Sequence, residues 1–225
     1  MVPKLIIRTV IWIALLALLL FGAAGTARWP AGWLFLAETG GLGFAIGLWL
    51  ARHDPALLAE RQSSAFQRGQ KAWDKVFVAA LIVLTVAWFV LMACDAVRFR
   101  WSLVPQWLQG VGALLIALGM FIVHLTFREN TYAAPVVKIQ TERGHRVIST
   151  GPYACVRHPM YAGMLLVFVG MPLLLGSWYG LAAAPVMAAL IAVRAVLEER
   201  TLANELAGYR EYTARVRYRL VPGLW

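Results

Sequence analysis

Long uncharged apolar runs constrain this chain more than any other feature. Runs near 5–25, 29–50, 76–94 and 108–127 are each long enough to cross a hydrocarbon core about 30 Å thick as a helix. A further apolar region, 160–197, is too long for one span, and "GSWYG" at 176–180 interrupts it, which reads as a helical hairpin. Its first arm, residues 159–175, reaches only about 25 Å, and Pro172 is expected to kink it. The pattern predicts an all-α integral membrane protein of about six transmembrane helices, the last two a hairpin, or four spans with a hairpin that enters part-way. Residues 1–127 form a four-helix membrane region, and 128–225 bring together a loop, the hairpin and a polar tail.

Composition agrees. At 61% hydrophobic and 14% charged, the chain departs from soluble domains, which are about half apolar and a quarter charged. The net charge of +10 would suggest a nucleic-acid partner in a soluble protein. Here all Lys and Arg except Arg28, Arg98 and Arg100 fall on one side of the predicted spans. The positive-inside rule puts that side, and both termini, in the cytoplasm. No nucleic acid is implied. The start of the chain, with Lys4, Arg8 and "FGAAGTA", has signal-peptide features. Its apolar run is too long for one and further spans follow, so it reads as the first transmembrane helix. Cys94 and Cys155 imply no disulfide framework.

Polar chemistry concentrates on the basic side. In "RHPMY", Pro159 suits the first position of a helix, which puts His158 at its entrance and Tyr161 about one turn on. A helix N-terminus favours an anion such as a carboxylate. Arg, His and Tyr also serve as plain interfacial anchors, and residue type alone leaves both readings open. In "VRAVLEERTL", Arg194 and Glu198 share a helix face, with Glu199 rotated by about 100°. These are either a weak surface pair, or acceptors for ammonium and hydroxyl groups beside an Arg that clamps a carboxylate. Glu38, at membrane depth, is a further candidate, and His124 a weaker one. There is no HExxH, CxxC, zinc-type spacing, GxSxG elbow or phosphate loop, so no metal is expected.

The segment "VISTGPYACVRHPMYAGMLL", an apolar hairpin, and then "LEERTLANELAGYREYTARVRYRLVPGLW" together resemble the isoprenylcysteine carboxyl methyltransferase family, which is related to the membrane phospholipid methyltransferases. "ARHDPALLAER" and "WDKV" are similar to bacterial members. The tail departs from the family pattern, being one residue short before Tyr209 and having Arg217 where Pro is usual. The resemblance implies S-adenosylmethionine as methyl donor, in a pocket at the cytoplasmic side, in a bacterial inner membrane. It implies cofactor contacts at Tyr153, His158, Tyr161, Gly163, Glu198 and Glu199, with Gln140 and His145 near them. Arg194 or Arg157 would then orient an acceptor carboxylate. The expected reaction methylates a small or lipophilic acceptor reached from the bilayer, most simply a carboxylate. The alternatives are amine or phospholipid N-methylation, or an NADPH-dependent membrane reductase of sterol-reductase architecture.

Overall fold

Each apolar run folds as one helix in the computed structural model, which describes residues 2–225. The order is α1 (Val2–Ala24), α2 (Pro30–His53), α3 (Pro55–Arg61), α4 (Ala72–Ala93), α5 (Gln106–Glu129), α6 (Pro159–Leu175), α7 (Trp178–Glu205) and α8 (Tyr209–Arg215). A π-helical turn at Cys94–Arg98 extends α4. α1, α2, α4, α5 and α7 are long and apolar enough to cross a membrane, and α6, with 17 residues, is the short sixth. Side chains such as Ile7, Leu18, Val83 and Leu114 project outward, as a lipid-facing surface requires. Leu20, Met92, Ile116 and Ile191 fill the interior with no exposed surface. The chain is an all-α integral membrane protein.

Local chemistry sets the helix boundaries. Proline opens α2, α3 and α6, where its missing N–H costs nothing. The Asp54 side chain caps α3 by accepting from Leu57 N–H at 2.9 Å. The α6–α7 turn is only Gly176 and Ser177, tighter than the predicted 176–180. Gly176 takes φ 85°, which glycine adopts without strain. Ser177 Oγ accepts from Gly180 N–H at 2.8 Å and donates to buried Asp95 at 2.5 Å, tying the hairpin to the end of α4.

The tightest helix contact joins α5 to α6. A Cβ on Gly119 would lie 2.5 Å from Gly163 O, and one on Gly163 would lie 2.6 Å from Gly119 O. One heptad away the pattern repeats: a Cβ on Gly170 would lie 2.6 Å from Gly112 O, and one on Gly112 would lie 2.6 Å from Gly170 O. Lipid supplies no hydrophobic drive between helices, so close backbone approach through small residues has to hold them. Since the obstructing atoms are backbone, Gly119→Ala is expected to cost about 1–3 kcal/mol. Detergent-mediated unfolding of the purified variant measures this, and Gly41→Ala, with nothing within 4 Å of the added Cβ, is the neutral control.

Candidate active site

The connections on the basic side pack together. Arg61 Nη1 donates to Ala133 O at 2.8 Å, Lys138 pairs with Glu60 at 2.7 Å, and Lys71 pairs with Glu205 at 2.7 Å. The loop after α5 is shaped from inside by Gln140, which is fully buried. Its Nε2 donates to Tyr132 O at 2.9 Å, and its Oε1 accepts from Arg143 Nη1 at 2.5 Å. Both ends of the amide are therefore engaged within the loop. The result is a stack of Tyr132 on His145, ring centroids 4.5 Å apart.

That stack forms one wall of a polar pocket. His158, Tyr161, Tyr153 and Glu198 form others, with Tyr209 and Tyr212 of α8 closing it. His158 is the N-cap residue of α6, Pro159 opens the helix, and no side chain caps that end. The free amides of the first turn thus lie beside the pocket. The His158 ring stacks on Tyr161 with centroids 5.3 Å apart. Tyr153 Oη accepts from Asn130 Nδ2 at 2.7 Å, and Tyr212 Oη donates to Tyr153 O at 2.8 Å.

The adjacent acids divide. Tyr161 Oη donates to Glu198 Oε2 at 2.6 Å, and Glu198 lines the pocket. Glu199 turns away into a cluster of cations. Arg157 Nε donates to its Oε1 at 2.5 Å, Arg219 Nε to its Oε2 at 2.8 Å, and His158 Nε2 lies 3.2 Å from Oε1. Arg157 also donates to Val216 O and Arg217 O at 2.9 and 2.8 Å, fastening the tail to the start of α6.

Burial governs the titration of the pocket wall. It pushes the Tyr153, Tyr209 and Tyr212 phenols above their usual value, so all three stay protonated at neutral pH. Burial also lowers the His145 imidazole, with Arg143 adding to the shift and Glu198 opposing it.

Six of the ten residues expected at the site line this pocket: His145, Tyr153, Arg157, His158, Tyr161 and Glu198. The others are placed elsewhere. Gln140 holds the loop, Gly163 sits at the α5–α6 contact, and Glu199 binds the tail. Arg194 is buried against Asp74, Nε to Oδ1 at 3.1 Å, and donates through Nη2 to Pro135 O at 2.8 Å. Glu38 and His124 lie outside the pocket lining, and His124 packs edge-on against Trp49 at 5.0 Å. Tyr132, Asn130, Tyr209 and Tyr212 were not foreseen as pocket residues. "RENTY", polar residues directly after an apolar run, was the available signal for the first two.

These polar groups line one pocket at the basic end of the helix bundle of an integral membrane protein. Residues 107–207 match the family model described as phospholipid methyltransferase, a family that includes the isoprenylcysteine carboxyl methyltransferases. No curated protein matches the chain. The matched stretch runs from α5 through α7 and contains most of the pocket wall. The match covers just under half of the chain and supports a membrane methyltransferase in general.

Proposed function

We propose that the protein uses S-adenosylmethionine to methylate a lipophilic carboxylate at the cytoplasmic face of a bacterial inner membrane, with residues 128–225 as the catalytic region. The observation that carries this is the half-engaged Glu198 carboxylate, facing an uncapped helix N-terminus across a pocket with an aromatic stack. The residues fit a zwitterionic nucleoside cofactor. Glu198 has the charge for an ammonium or ribose hydroxyls. The amides at the start of α6, beside His158, suit the carboxylate. Tyr132 and His145 offer a flat wall for a base. The buried Tyr209 Oη has no partner among the described residues, and a buried hydroxyl favours one.

When bound, the cofactor supplies a methyl group on sulfonium sulfur; an O–CH3 bond forms, the S–CH3 bond breaks with its electron pair left on sulfur, and no proton is released. A carboxylate acceptor is ionised near neutral pH and needs no base. This matches a wall whose phenols are held protonated. The chain's part is to align the reactants and exclude water. The pocket's volume is about 90 Å³, below the roughly 300 Å³ of a drug-sized ligand site. Binding therefore requires the pocket to widen.

Calorimetric titration of the detergent-purified protein with S-adenosylhomocysteine tests the cofactor, and transfer of tritiated methyl to carboxylate and amine amphiphiles tests the acceptor. Binding together with alkali-labile label is expected. Absence of binding overturns the cofactor assignment, and alkali-stable label on the amine overturns the carboxylate.

A further inference from the structure

A second, larger cavity of about 670 Å³ opens among α1, α2, α3, α5 and α6. Its wall is apolar, with Phe44, Phe127, Met160, Met164, Val167 and Met171. The four α6 residues span 11 positions, about 16 Å of helix, so the cavity runs lengthwise into the membrane. Met160 lines both this cavity and the polar pocket. The two spaces therefore adjoin at the start of α6.

Two cations line the cavity, Arg8 on α1 and Arg61 on α3, and it is Arg61 that stands beside Met160 at that junction. Arg61, the last residue of α3, lines the apolar cavity with its guanidinium 4.2 Å above the Phe127 ring. Nη1 donates to Ala133 O at 2.8 Å and lies 3.9 Å from Met160 Sδ. A surface arginine would carry its head out to water, whereas this one rests on an aromatic ring at a cavity wall. No carboxylate lies within 4.0 Å of it among the described residues, and neighbouring Glu60 is engaged by Lys138. Burial lowers Arg61 to about 10, which leaves it cationic at neutral pH. Arg61 is half-buried and spends Nη1 on a neutral carbonyl, so its charge is left for an anion brought in from outside. By contrast, Arg157 and Arg194 already have carboxylate partners.

We infer that Arg61 is the acceptor-selecting residue: it receives the carboxylate of a single-chain amphiphile whose tail lies in the α1–α2–α6 cavity. This deepens the proposed methyl transfer and rests on it. An ammonium headgroup would be repelled at the same place. Conversion of the carboxylate to a neutral ester removes the attraction to Arg61 and favours product release.

The test measures binding to the full chain in nanodiscs, with tetradecanoate, tetradecyl phosphate and tetradecylammonium as probes. S-Adenosylhomocysteine is titrated separately. Wild type is expected to prefer tetradecanoate over the ammonium by at least tenfold. Arg61→Met should abolish that preference, and Arg61→Lys should restore most of it. Gly43→Trp fills the cavity from a position where an added Cβ meets nothing within 4 Å. It should weaken tetradecanoate while leaving Arg61 in place, and it decides the matter if Arg61→Met fails to fold. Undiminished tetradecanoate preference in Arg61→Met, or undiminished tetradecanoate affinity in Gly43→Trp, overturns the inference. Tighter binding of the phosphate overturns the carboxylate. Loss of S-adenosylhomocysteine binding in wild type, with probe selectivity intact, would count against the cofactor and not against Arg61.

Discussion

Glu198→Gln is expected to weaken S-adenosylhomocysteine binding about 10- to 100-fold and to cut methyl transfer at least as much, with little change in stability. Gln keeps the size of the side chain and an oxygen that can accept from Tyr161 Oη, a contact 2.6 Å long in the native protein. What it loses is charge at a half-buried pocket position. A hydrogen bond to a charged group contributes about 1.5–3 kcal/mol, and 1.4 kcal/mol is a factor of ten in affinity. Tyr161→Phe makes the complementary test, since it frees Glu198 Oε2 without removing charge and should affect binding less. Calorimetry on both variants, alongside their unfolding midpoints, checks the pair. Wild-type affinity in Glu198→Gln would remove this carboxylate from the cofactor site.

The spans were legible because a hydrocarbon core reads only length and apolarity. The start of α6 was legible because proline has one favoured place in a helix. The roles of single residues were harder to read wherever a distant partner decides them. Arg194 looked like a free clamp, yet Asp74, 120 positions away, engages it. Gly163 stands in a motif with His158 and Tyr161, but its carbonyl-to-Cβ clearance is set by Gly119 on another helix. Gln140 carries two polar ends that the loop itself consumes. Adjacent Glu198 and Glu199 could be told apart only by rotation about α7, which sends one to the pocket and one to the tail. Arg61 read as one more inward positive charge, because nothing local reveals the cavity beside it.

Glu199→Gln is expected to do what Glu198→Gln does not: destabilise the protein by about 3–5 kcal/mol, the range for removing one partner of a buried ion pair. Arg157 is only 8% exposed, and its remaining bonds run to the carbonyls of Val216 and Arg217. Without Glu199 it is a buried cation whose only acceptors are neutral. Arg219, with a side chain 31% exposed, can turn to water, so Arg219→Ala should cost less than about 1 kcal/mol. The expected order is therefore Glu199→Gln and Arg157→Ala together at the top, with Arg219→Ala far below. Denaturation in mixed micelles gives the energies, and timed proteolysis shows whether the tail after α8 is cut before the helices. Because Tyr209 and Tyr212 reach the pocket from α8, directly before that tail, releasing it should also weaken S-adenosylhomocysteine binding. Binding lost at unchanged stability marks a ligand-contacting acid, and binding lost with an unfastened tail marks an acid that builds the wall. If Glu199→Gln kept both stability and a protected tail, the cluster around Arg157 would not be what holds the tail against α6.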